Sequence, residues 1–261
     1  MESYRENADF LAAKKRKLTR IEPLLKGEFK RENHNFNFLS QSFIDNNFEE
    51  SENVSSHDYD RVAREMISKH SEGLILDCGA GFRNKYYENI INFEVEPYST
   101  TDVVGLADKL PFKDNSLDAV LCLNVLEHVR NPFKVAKEIV RVLKQNGELY
   151  CVVPFLQPYH AYPDHFYNMS SSGLKNLFCD GMEIKKSFVY KSGHPIHSLS
   201  WILNSWSNSL ANQTRKKFLN MKVMDLMKDP YEQLSKDYVE ELDYKKVEEL
   251  ASTTSILALK K

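Results

Sequence analysis

Between residues 73 and 153, short unbroken apolar runs alternate with helical periodicity. Gly73-Leu74-Ile75-Leu76-Asp77 is an apolar run closed by an acid, the pattern of a parallel strand buried on both faces. Ile90 to Val95, Asp102 to Gly105, Asp118 to Leu123 and Gly147 to Val153 repeat the theme. Val62, Ala63, Met66 and Ile67 recur at helical spacing and predict a helix over 58–69. Phe133, Ala136, Ile139, Val140 and Leu143 predict another over 132–143. It opens on Asn131-Pro132, a cap residue followed by proline, and closes at the Gln145-Asn146-Gly147 turn. Strands alternating with helices build βαβ units on a parallel sheet.

Several classes of protein are excluded by composition. The 261 residues carry 35 basic and 37 acidic side chains, a net charge of −2, so no strong field draws the chain to nucleic acid. No N/D-P-P-Y/F-type motif is present, and a nucleic-acid partner is not expected. No apolar run approaches the ~20 residues of a membrane helix. Met1 to Leu18 lacks the apolar core of a signal peptide, so a cytoplasmic protein is expected. Cys78, Cys122, Cys151 and Cys179 form no C-x-x-C pair, which argues against a zinc knuckle or a disulfide framework.

Residues 1–56 read as a polar N-terminal arm, with Lys14-Lys15-Arg16-Lys17 as a solvated helix face. Residues 57–261 read as one domain with a helical insertion over 197–250. Beyond Val153 the pattern predicts a helix over 174–178, a strand over 182–190 and a long helix over 201–227. Asp229-Pro230 stops that helix. A further helix over 238–250 and a last strand over 252–259 follow. Trp201, Trp206 and Leu210 lie near one helical face, as core, as a lid, or as the surface of a homodimer.

Asp77-Cys78-Gly79-Ala80-Gly81 follows the first buried strand. Glycine there lets the backbone turn tightly and approach a ligand, at the carboxyl end where open α/β sheets bind ligands. The third glycine of a dinucleotide fingerprint would fall at Asn84, so pyrophosphate binding is disfavoured. Glu94 closes the second strand, where a carboxylate can accept both hydroxyls of a ribose. Glu96 is its rival. Leu110-Pro111-Phe112, Leu117-Asp118-Ala119-Val120 and Asn124-Val125-Leu126-Glu127-His128-Val129 follow in order.

Together these motifs resemble a class I S-adenosylmethionine (SAM)-dependent methyltransferase of the small-molecule type, over residues 73 to about 190. The resemblance implies an α/β, Rossmann-like, seven-stranded, mostly parallel sheet with helices on both faces. Its last strand, residues 252–259, would run antiparallel beside 182–190, with the helical insertion before it. Asp77, Gly79 and Gly81 match the loop that holds the methionine part of the cofactor, so a Cβ at Gly79 is expected to clash with it. Glu94 matches the ribose acid. Leu106 and Ala107 fall where a backbone N–H meets adenine, with Leu106 in place of the usual acid and Asp108 as a stand-in. Asn124 matches a position lining the methyl-donor site. Asp118 is expected to tie its strand to the glycine loop.

The segment from Pro154 to Met169 resembles the PxHxxPxDYxRxT loop of bacterial methyltransferases associated with polysaccharide assembly. His165 replaces the acid of that pattern and Asn168 the arginine. The resemblance implies a small-molecule or glycan acceptor. Five of the eight histidines lie between 128 and 197. O-methylation needs a group to take the hydroxyl proton, and histidine suits it near neutral pH. His160 is the first candidate base, with His165 and His128 as rivals. The reading is therefore a methyltransferase for a sugar or glycan precursor. A quinone or polyketide methyltransferase, or a non-catalytic scaffold of the same fold, is the alternative.

Overall fold

The computed structural model describes residues 8–32, 34–40, 58–160 and 164–259. The chain divides into two compact units, Met1–Val153 with Met169–Lys185, and Pro154–Asn168 with Lys186–Lys261.

The first unit is built on seven strands. They are β1 (Lys30–Glu32), β2 (Asn35–Asn37), β3 (Ile75–Cys78), β4 (Ile90–Glu94), β5 (Val103–Val104), β6 (Leu117–Leu123) and β7 (Leu143–Val152). Their order in the sheet is β1-β2-β5-β4-β3-β6-β7. All neighbours run parallel except β1, which pairs antiparallel with β2. This is the expected Rossmann-like sheet, mostly parallel with one antiparallel strand. The chain winds outward from β3 through β4 to β5, then returns to β6 on the other side of β3. That reversal is the topological switch point at which such sheets bind ligands.

Side chains alternate across the sheet with period two. Leu76, Cys78, Ile91, Phe93, Val120 and Cys122 join one buried cluster. Helix α1 (Ala8–Ile21) contributes Leu18 and Ile21 to it, and Phe178 enters from the later helix Ser171–Phe178. Ile75, Ile90, Ala119 and Leu121 form the other cluster with Ala63 and Ile67 of α2 (Arg61–Lys69). Helix α2 starts where the Asp60 carboxylate accepts the Ala63 N–H. Helix α3 (Pro132–Val142) opens on Asn131, whose side chain accepts the Lys134 N–H, and buries Val135, Ala136, Ile139 and Val142 in the first cluster. Helix α4 is Ser171–Phe178.

Several expectations are corrected. Residues 252–259 form no strand, and neither do 182–190. The antiparallel strand is instead Lys30–Glu32, at the opposite edge and from the opposite end of the chain. The Gln145-Asn146-Gly147 turn becomes an irregularity inside β7, with Asn146 at φ +63° and the register shifting opposite Asp118. Asp118 lies at the start of β6, away from the glycine loop. Its carboxylate accepts the Leu74 N–H and pairs with Lys144, each at 2.8 Å.

Residues 8–37 are no polar arm: they supply α1, β1 and β2. Lys14 is 2% exposed and Lys17 is 1% exposed. The Lys14 ammonium donates to the Ser99 and Thr101 carbonyls at 2.6 and 2.7 Å. Lys17 donates to the Ile90 carbonyl at 2.6 Å and pairs with Asp102. Within the run, Arg16 and Lys15 are the exposed members, and Arg16 pairs with Glu88.

Among the described residues, the second unit carries α5 (Pro195–Asn208), α6 (Asn212–Leu219), four short helical turns (Lys191–Gly193, Val223–Leu226, Pro230–Gln233 and Asp237–Glu240) and the helix Tyr244–Leu250. The continuous helix expected over 201–227 breaks at Ser209–Ala211, where Leu210 turns inward and is buried. Glu241 accepts the Ala211 N–H and the Thr214 hydroxyl, and so caps the restart. Trp206 stacks on Phe218 at 6.0 Å and donates its indole N–H to the Tyr238 carbonyl at 2.7 Å. Trp206, Leu210 and Phe218 thus serve as core, while Trp201 lies against the His160 ring. Among the described residues, no helix is long and apolar enough to cross a membrane.

Candidate functional site

The site in the first unit begins at Asp77, near the carboxyl end of β3, with no side-chain exposure. A carboxylate there must find partners, since burying an unpaired charge costs several kcal/mol. Its Oδ2 accepts the Tyr59 hydroxyl at 2.5 Å and the Arg83 Nε–H at 2.9 Å. Arg83 Nη2 adds a contact at 2.7 Å, and the guanidinium lies 4.4 Å from the centre of the Tyr59 ring. Asp77 Oδ1 is buried with no hydrogen-bond partner. One oxygen is thus fully engaged and the other is available to a donor.

Gly79 and Gly81 adopt φ of +74° and +59°, the left-handed region that favours glycine. The Gly79 and Ala80 N–H groups donate to the Phe93 carbonyl at 2.9 and 3.0 Å. A Cβ on Gly79 would lie 2.4 Å from Val125 Cγ2. The protein's own packing and the positive φ thus already require glycine at 79, independently of any ligand. No helix follows the loop: residues 80–89 are irregular, and Arg83 folds back on Asp77.

Glu94 closes β4, as expected. Its Oε2 accepts the Gly81 N–H and its Oε1 the Val95 N–H, both at 2.7 Å. Burial raises its pKa, opposed by the Gly81 N–H. Each oxygen keeps a second lone pair for another donor. Glu96 lies past the strand end, and its carbonyl accepts from Tyr98 and Thr101. Leu106 and Ala107 sit where β5 passes into the short turn Ala107–Lys109. Asp108 is engaged by Lys134 of α3 at 2.9 Å. Asn124 lies just past β6, exposed and at φ +55°.

Of the three histidines singled out, His128 lies in the first unit, ending the turn Leu126–His128. His160 and His165 lie together in the second, their ring centres 4.2 Å apart. The His160 N–H donates to His165 Nδ1 at 3.2 Å, and His160 Nδ1 lies 2.8 Å from the Pro158 carbonyl oxygen. His165 Nε2 lies 3.0 Å from Asn168 Oδ1.

Three residues of interest escape the sequence reading. Tyr59 and Arg83 hold Asp77. A buried acid demands a cation, and Arg83 is the basic residue nearest the glycine pair, which was the signal available. Glu127 has no exposure, and neither of its carboxylate oxygens has a hydrogen-bond partner. Burial pushes its pKa up to about 7. In sequence it is one acid among 37.

Residues 76–151 match the methyltransferase domain family. The match runs from β3 through β7 and implies S-adenosylmethionine as the cofactor. An uncharacterized protein of Methanocaldococcus jannaschii, MJ0638, is 42% identical over 91 residues, which is 31% of this chain and 40% of that protein. The uncharacterized methyltransferase YcgJ of Bacillus subtilis is 36% identical over 64 residues, 24% of this chain and 25% of that protein. The chain therefore spans less than half the length of these relatives. The crystal structure of YcgJ aligns with 59% of this chain and 86% of its own, at 21% identity and a TM-score of 0.37.

Proposed function

We propose that this protein is an S-adenosylmethionine-dependent methyltransferase acting on a hydroxyl of a sugar or glycan precursor. The observation that carries the cofactor is the buried, unpartnered Asp77 Oδ1 beside the switch point. It suits the ammonium of the cofactor's amino-acid arm, since a buried carboxylate oxygen calls for a charged donor. Glu94 would accept the ribose hydroxyls, the backbone at Leu106 and Ala107 would meet adenine, and Gly79, Gly81 and Asn124 would line the remainder. When bound, the cofactor supplies a methyl group on a sulfonium, already reactive enough that alignment is the main requirement. His160 would take the hydroxyl proton, with His165 and His128 as rivals. The acceptor class rests on the resemblance of the segment from Pro154 to Met169.

The test is calorimetry with S-adenosylhomocysteine on protein stripped of nucleoside, followed by transfer of labelled methyl to a panel of glycan and phenolic acceptors. Binding with turnover on the glycans is expected. Binding without turnover on any acceptor would make the protein a scaffold. Turnover on phenols alone would replace the acceptor, and absence of binding would overturn the proposal. His160→Ala is expected to lower the rate roughly 10²- to 10⁴-fold with affinity nearly intact.

A further inference from the structure

The second unit carries apolar side chains that its own core does not use. Helix α6 buries Thr214 and Phe218, and Phe218 stacks on Trp206. From the end of that helix onward the apolar residues face water instead. Leu219, Val223, Met224, Met227 and Tyr231 are 62–84% exposed. One exposed large apolar side chain is ordinary, but five within 13 residues mark a contact surface.

The same stretch is basic. Residues 212–228 hold Arg215, Lys216, Lys217, Lys222 and Lys228 against Asp225, a local charge of +4 in a chain whose net charge is −2. All four lysines are exposed. Lys217 pairs with Asp237 at 3.0 Å and Lys228 with Asp225 at 2.9 Å, while Lys216 and Lys222 form no ion pair among the described residues. Exposed pairs of this kind hold little energy and give way to a stronger anion field. Charge and apolarity together narrow the partner. An acidic protein or a nucleic acid would engage the lysines and leave Leu219, Val223, Met224 and Met227 in water. A bilayer with anionic head groups offers a phosphate plane to the cations and hydrocarbon just beneath it to the apolar side chains. Tyr231, apolar in body and polar at its tip, suits the boundary. Helix α6 has eight residues and Val223–Leu226 four, too short to span a bilayer, so the contact is peripheral.

We infer that residues 212–231 form a docking surface for an anionic lipid bilayer. Lys216, Lys217 and Lys222 meet the head groups, and Leu219, Val223, Met224 and Met227 enter the acyl boundary. The surface lies wholly within the second unit. The inference does not rest on the methyltransferase reading.

The test is sedimentation of the full chain with two kinds of vesicle, phosphatidylcholine alone and phosphatidylcholine mixed with phosphatidylglycerol. The parent is expected to sediment with the mixed vesicles, less so as salt rises, and to stay in solution with the neutral ones. Lys216→Gln/Lys222→Gln should weaken binding to mixed vesicles about ten- to thirtyfold. Met224→Ser/Met227→Ser should weaken it about tenfold or more, although no charge is altered. Both variants replace exposed side chains and should keep the parent's urea midpoint. A parent that ignores mixed vesicles, or binding that neither variant changes, overturns the inference. So does binding lost with the lysines but untouched by the methionine pair, which would be adhesion by charge with no apolar insertion. A parent dimer in light scattering that the methionine pair breaks, without vesicle binding, would assign the face to a second copy of the chain and overturn the lipid reading.

Discussion

Lys17 Nζ lies 2.7 Å from Asp102 Oδ2, and both side chains have no solvent exposure. The pair joins the first helix of the chain to the start of β5. Asp102 also accepts the Asn92 N–H at 2.8 Å and the Tyr86 hydroxyl. The Lys17 ammonium lies 3.4 Å from the centre of the Tyr86 ring. Burial pushes the Lys17 pKa down to about 8, against the pull of Asp102. Such a pair is worth little relative to apolar residues of similar volume, but breaking it strands a charge in the interior.

Lys17→Met should therefore destabilise the protein by about 3–5 kcal/mol, read from urea unfolding. Arg16→Met, one residue away, removes an exposed pair and should leave the midpoint in place. Equal effects from the two would show that α1 is not anchored through Lys17.

Gly79→Ala places a methyl group against Val125 and forces a left-handed φ on alanine. The expected loss is about 2–4 kcal/mol. In a Val125→Ala background the packing part should vanish and the backbone part should remain. A double-mutant cycle in unfolding free energy measures the difference. A coupling of zero would place the origin of the effect elsewhere than Val125.

Glu94→Ala should weaken S-adenosylhomocysteine binding by about ten- to a hundredfold, since a carboxylate on two hydroxyls is a charge-assisted contact. It also frees the Gly81 N–H. Glu96→Ala should leave the affinity unchanged. The reverse result would shift the ribose contact two residues along the chain.

Glu127 yields a prediction with a definite sign. Its folded pKa of about 7 lies above the ordinary 4.5, so the folded state holds a proton that the unfolded state has released between those values. Its contribution to stability is full below pH 4.5 and is lost as pH rises through 7. Glu127→Gln cannot titrate. The stability difference between parent and variant should therefore move by up to about 3 kcal/mol against the parent between pH 4.5 and 8. A pH-independent difference in urea midpoints would show that Glu127 ionises normally in the folded state.

β3, β4, β6, α2 and α3 were legible in the chain because their signals are local. An apolar run, an Asp60 cap or an Asn131-Pro132 opening acts within one or two turns of itself. The order of motifs likewise placed Asp77, Gly79, Gly81 and Glu94 around one loop. What the chain could not announce was the partner of each group. Lys14 and Lys17 read as solvated because their oxygens lie 73 to 87 residues away. The antiparallel edge is Lys30–Glu32, a polar, exposed segment paired with Asn35–Asn37, so no apolar run announced it. That Gly79 also faces Val125 was not legible, because Val125 is brought there when β6 pairs with β3. Hydrophobic periodicity is a property of a segment. Burial of a charge, and the space around a Cα, are properties of what the rest of the fold brings against it, and only the tertiary structure decides them.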